Sequence, residues 1–224
     1  MAENAQMMKW AGASDLFRLT AAVFRYPTPD FAEALLDGSF AGDCRAATVA
    51  LGLPADVLDA LEGALPPSPD TLDAAEVLRE LRREHTRLFG IPKKEILYLY
   101  ESRYMQDEDG SADDYLMFIN PCCLDVEKEM RSAGFEAKRT GEEPLDHIST
   151  ELEFVGLLYG KAASALAAGD DEEANRRLGQ ASHFRETHLD RWADPFFTEV
   201  ERETQGALYR ALAATAKNVV ELPL

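Results

Sequence analysis

The chain has 224 residues, 46% of them aliphatic, aromatic or cysteine, with a formal charge of −18 and a sequence pI near 4.6. Such a length and apolar content provide one well-buried core, or one domain in two lobes, and exclude a disordered chain. The negative charge excludes non-specific nucleic-acid binding, because phosphates require Lys and Arg, and its field favours a cationic partner.

The first 17 residues, MAENAQMMKWAGASDLF, lack the basic start, apolar core and small-residue cleavage site of a signal peptide. From Ser14 the apolar spacing of SDLFRLTAAVFRY predicts a helix capped by Ser14 and ending before Pro27. In TPDFAEALLDG, Thr28 caps a second helix, Pro29 takes its first position and Gly38 lies past its end. Short helices follow near 40–51 and 54–64, then the break LPPSPD and a long helix over about 70–89 that stops at Gly90. Residues 91–111 show no apolar stripe and no partner for a strand at EILYLY, so they read as an ordered loop carrying Tyr98, Tyr100 and Tyr104. Helices near 112–119 and 121–133 and a loop over 134–143 lead to helices at 145–168, 171–188, 190–204 and 206–220. The expected class is all-α, a bundle of about nine or ten helices.

The most apolar long run, 154–168, is interrupted by Lys161 and too short to span a bilayer, so no stable membrane insertion is expected. Cys44 and the adjacent Cys122 and Cys123 form no CxxC and no disulfide framework, which fits a reducing compartment and a cytoplasmic location.

The chain carries neither GxSxG nor HExxH. GLLYGKA at 156–162 has three residues between its glycines and no hydroxyl after Lys161, so Gly156 and Gly160 read as a place where another helix comes close. A di-iron bundle needs Glu three residues before a ligating His. Arg82, Pro144, Gln180 and Arg185 stand there instead, before His85, His147, His183 and His188. His147 with Glu151, and His183 with Glu186, read as surface pairs, and zinc spacing is absent, so no metal, cofactor or catalytic residue is assigned. In EEPLDHISTELEF, Asp146 reads as the cap of the helix that follows, with Pro144 stiffening the approach.

Four segments occur in order: EHTRLFG (Glu84 to Gly90), YESRY (Tyr100 to Tyr104), PLDHISTELEF (Pro144 to Phe154) and HLDRW (His188 to Trp192). Together they resemble the TorD/DmsD/NarJ family of redox-enzyme maturation chaperones, over roughly residues 14–220. Two positions depart from the family pattern: His85, where an aromatic residue is common, and Leu99, where proline is. The resemblance implies a non-enzymatic, TorD-like domain over residues 1–224. Its N-terminal lobe would cover about 14–133, a hinge loop about 134–146 and a C-terminal lobe about 147–220. Some members form homodimers by exchanging lobes.

The resemblance implies a partner as well, the preprotein of a molybdopterin-containing oxidoreductase, bound by its twin-arginine signal peptide or N-terminal tail until its cofactor is inserted. The family's peptide-binding face maps onto Leu88, Phe89, Tyr100, Ser102, Pro144, Asp146 and His147, with His85, Glu101, Tyr104 and Glu151 beside them. Carboxylates next to aromatic surface suit a guanidinium followed by an apolar segment. The acidic run DEDGSADD at 107–114 would speed the encounter. The competing readings are a helical adaptor for another cationic or amphipathic segment and a metal-dependent all-α enzyme.

Overall fold

The computed structural model describes residues 2–54, 73–90, 96–109, 121–136 and 144–220, together with residues 56, 59 and 63. Most of the helix expected near 54–64, the helix expected near 112–119, most of the loop at 134–143 and residues 110–114 of the acidic run lie outside the described residues. Ten α-helices occur among the described residues. They are α1 (Ala2–Phe24), α2 (Pro29–Leu36), α3 (Ser39–Leu51), α4 (Ala74–Phe89), α5 (Glu101–Asp109), α6 (Pro121–Ser132), α7 (Ile148–Ala167), α8 (Asp171–Thr187), α9 (Ala193–Glu203) and α10 (Ala207–Val220). A 3-10 turn at Leu189–Arg191 joins α8 to α9. No strand occurs among the described residues, so the all-α class holds. None of the described helices is long and apolar enough to cross a membrane.

Several boundaries follow local chemistry. The Thr28 hydroxyl accepts from the Phe31 amide, Pro29 opens α2, and Gly38 takes a φ of 83° that side-chain-bearing residues avoid. Asp170 accepts from the Glu173 amide at 3.0 Å and starts α8. Two expectations fail. Helix α1 begins at Ala2, not at a Ser14 cap, and Ser14 is buried on its inner face. The Glu101–Asp109 stretch, expected to be loop, is helix α5.

The reason for the first is the packing of α1 along α7. A Cβ on Gly156 would stand 2.8 Å from Arg18 Cγ and 3.0 Å from the Ser14 carbonyl oxygen, and one on Gly160 would stand 2.8 Å from Ser14 Oγ. The two glycines therefore do admit a helix, and Ser14 is kept small by that contact rather than by a cap. The rings of Phe17 and Tyr159 stack across the same seam at 5.8 Å. One connected apolar core runs from Trp10 to Val220. Within it Phe24 meets Phe196, Phe197 and Tyr209, tying α1 to α9 and α10.

Glu84 anchors the far end. Arg87 holds its carboxylate at 2.7 and 2.8 Å, while its Oε1 accepts from the Thr204 hydroxyl at 2.8 Å and the Gln205 amide at 2.7 Å. The Arg87 hydrogen bonds, aided by those from Thr204 and Gln205, lower the Glu84 carboxyl to about 2. The first residue of EHTRLFG thus fastens the turn between α9 and α10 to α4.

Candidate functional site

Segments far apart in the chain start two helices at one point. Tyr100 and His147 form a single antiparallel bridge, in which the Glu101 amide donates to the Asp146 carbonyl and the Ile148 amide to the Leu99 carbonyl, both at 2.8 Å. Helix α5 begins at Glu101 and helix α7 at Ile148, so both need acceptors for their first amides here. His147 supplies one to α7, its Nδ1 accepting from the Ser149 amide at 3.1 Å. Asp146 supplies the other to α5, its Oδ2 accepting from the Ser102 amide at 3.2 Å and from the Ser102 hydroxyl. The expectation that Asp146 caps its own helix is therefore corrected. The bridge places His147 at the start of α7 and directs the Asp146 carboxylate to the neighbouring helix.

Burial pushes the His147 imidazole down to about 3, and the charges of His85 and Arg25 push the same way. A neutral ring is what a cap that accepts at Nδ1 requires. His147 and Glu151 are both buried, so they are not the surface pair expected. His183 is exposed and faces Glu129 at 3.5 Å.

Three acidic side chains lie inside this junction: Glu101 is 2% exposed, and Asp146 and Glu151 are 0% exposed. Glu101 Oε2 accepts from the Cys122 thiol at 2.9 Å and lies 2.8 Å from His188 Nδ1. The Arg191 guanidinium stands 3.7 Å from Glu101 Oε1. The Trp192 indole N–H donates to Glu151 Oε2 at 3.0 Å. Burial, and then the neighbouring Glu101 carboxylate, raise the Glu151 carboxyl well above the usual range, favouring its protonated form. Asp146 Oδ1 and Glu151 Oε1 have no hydrogen-bond partner among the described residues.

Of the other sequence-derived candidates, Leu88 is core, and its carbonyl accepts from the Ile96 and Leu97 amides at 3.1 and 3.0 Å. Half-buried Phe89 lies edge-on to buried His85 at 5.0 Å, and His85 meets Tyr26 at 5.4 Å. Burial lowers His85 to about 4. Tyr100 packs on His147 at 5.2 Å and Tyr104 on Trp192 at 5.7 Å, while Pro144 is half-buried. Sequence reasoning missed Cys122, His188 and Trp192. The HLDRW segment contained two of them, but nothing local says that they reach Glu101 and Glu151.

Two cavities flank α5. One, of about 580 Å³, is lined by Glu101, Ser102, Met105, Leu124, Asp125 and Arg191 among others. The second, of about 410 Å³, is lined by Ile96, Tyr98, Tyr104, Glu199 and Arg202 among others. Neither has the geometry of a nucleophile paired with a base. Cys122 and His188 both bind the same Glu101 oxygen, and burial and then the Glu101 charge push the Cys122 thiol up.

Three of the four distinctive segments, YESRY, PLDHISTELEF and HLDRW, meet at this buried acidic junction, while EHTRLFG fastens the far end. Residues 53–198 match the nitrate reductase delta subunit family, and the chain belongs to it. That family, of the NarJ/TorD type, comprises maturation chaperones for molybdoenzymes, which partner with the catalytic subunits and are not themselves enzymes. No curated protein matches the chain.

Proposed function

We propose that this chain is a cytoplasmic chaperone that binds the twin-arginine type signal peptide, or N-terminal tail, of a molybdopterin-containing oxidoreductase and assists its cofactor insertion before assembly or export. One observation carries the reading. The cavity of about 580 Å³ has Glu101 in its wall, two further buried acidic groups behind it, and Met105 and Leu124 beside it. A guanidinium entering there would meet a carboxylate in a water-poor setting, where a charge-assisted pair is strong, while the following apolar residues cover the walls. Glu101 and Ser102 then contact the peptide. Asp146 and His147 hold the two helix starts behind them, and Glu151 holds Trp192. Tyr104 lines the second cavity on the other side of α5, whereas Tyr100, Pro144, Phe89, His85 and Leu88 pack behind the site and line neither cavity.

The test is calorimetric titration of the full chain with a peptide bearing an arginine pair ahead of an apolar segment, and with the same peptide carrying lysines. Glu101→Gln is expected to weaken the arginine peptide by about tenfold or more, roughly the loss of one charge-assisted contact. Equal affinity for the lysine peptide would favour the general cationic adaptor instead. Absence of binding to either peptide would sink the proposal.

A further inference from the structure

The same cavity holds a set of donors that a chaperone of peptides does not require. We infer that Glu101, Cys122 and His188 form a binding site for a divalent transition-metal ion of zinc type. Each residue offers one ligand atom, and the three atoms lie within 4.8 Å of one another. They come from three elements: Glu101 from the first position of α5, Cys122 from the second of α6, and His188 from the end of α8. The contacts to Glu101 Oε2 are 2.9 Å from Cys122 Sγ and 2.8 Å from His188 Nδ1. A tetrahedral zinc with its usual bond lengths needs ligand atoms about 3.5 Å apart, so each contact must open by roughly half an ångström.

The other side of the His188 ring fits a ligating role. His188 is 4% exposed, and its Nε2 has no hydrogen-bond partner among the described residues. The Asp125 carboxylate stands 3.6 Å from that nitrogen and lines the same cavity, placed as the outer carboxylate that orients a histidine ligating through its opposite nitrogen. A set of thiolate, imidazole and carboxylate selects zinc-like ions over magnesium or calcium, which prefer oxygen alone. On binding, the Cys122 S–H bond breaks, its proton passes to solvent, and a sulfur–metal bond forms. The ion also relieves the excess of negative charge around Glu101. Local spacing rules miss such a site because Cys122 and His188 lie 21 and 87 positions from Glu101.

Ion and guanidinium would compete for the Glu101 carboxylate, so a loaded site would exclude the peptide; the site does not rest on the peptide reading, and its test uses no peptide. The full-length chain is stripped with chelator and titrated with zinc by calorimetry, and with cobalt while its absorption spectrum is followed. The expected result is one ion per chain, with a thiolate-to-cobalt charge-transfer band and tetrahedral visible bands. Cys122→Ser is expected to abolish the charge-transfer band and weaken zinc at least tenfold, while Cys44→Ser and Cys123→Ser keep both. His188→Gln should weaken zinc similarly; circular dichroism and melting on each variant identify any that fail to fold, and the cobalt spectrum of the unsubstituted chain decides the matter without them. The inference is overturned if the unsubstituted chain shows no stoichiometric ion or no thiolate band, or if the band survives in Cys122→Ser.

Discussion

The seam between α1 and α7 and the junction between α5 and α7 are built in opposite ways. In the seam, small residues bring helix against helix, with Ser14 under Gly160 and the Phe17 and Tyr159 rings stacked beside them. In the junction, three acidic side chains are taken out of water and two of their oxygens are left without a partner among the described residues. Close packing of apolar and small groups stabilises a fold directly. Buried unpaired polar atoms cost it free energy, and a second task accounts for them better than stability does. The contrast supports the proposed peptide site at the helix starts and sets it apart from the packing along the helix flanks.

Filling the seam should break the fold. Gly156→Val is expected to destabilise the chain by more than about 3 kcal/mol in urea denaturation, because the new side chain meets a backbone oxygen that cannot move alone. Little loss would mean that α1 and α7 can separate.

Acid should weaken the junction by a comparable but smaller amount. The folded His147 pKa is near 3 against an ordinary 6.5, so its contribution is complete above pH 6.5 and falls as the pH drops toward 3. At pH 4 it has lost about 3 kcal/mol relative to neutral pH. His147→Asn keeps a capping acceptor but does not titrate, so it should lose correspondingly less stability than the unsubstituted chain between pH 7 and pH 4. Equal losses in parallel melts would show that His147 is not held neutral.

The smallest effect is a gain. Gly179 lies inside α8, and a Cβ there would meet nothing within 4 Å. Gly179→Ala should stabilise by about 0.5–1 kcal/mol through helix propensity and reduced unfolded-state freedom. Its contrast with Gly156 separates a packing glycine from an incidental one.

Much of the fold could be read locally. Thr28 with Pro29 announced a helix start, and the spacing of Gly156 and Gly160 announced a close helix contact. Helix α5 was missed because its inner face, Glu101, Tyr104 and Met105, has helical spacing but begins with a carboxylate, so it shows no apolar stripe. Asp146 was recognised as a capping residue but matched to the wrong helix, since a side chain of this type can cap any amide brought to it. Cys122, His188 and Trp192 carried no local mark of the partners they meet, although HLDRW holds two of them.

The amino-acid sequence by itself determined the all-α class, most helix boundaries and the family, because propensity, capping and short motifs act over a few neighbouring residues. Only the tertiary structure decided that Asp146 caps α5, that Glu101 gathers Cys122 and His188, and that Glu151 answers Trp192. Those pairings depend on which surfaces are driven together when the apolar core closes, and burial then obliges each polar atom inside to take whatever partner is within reach.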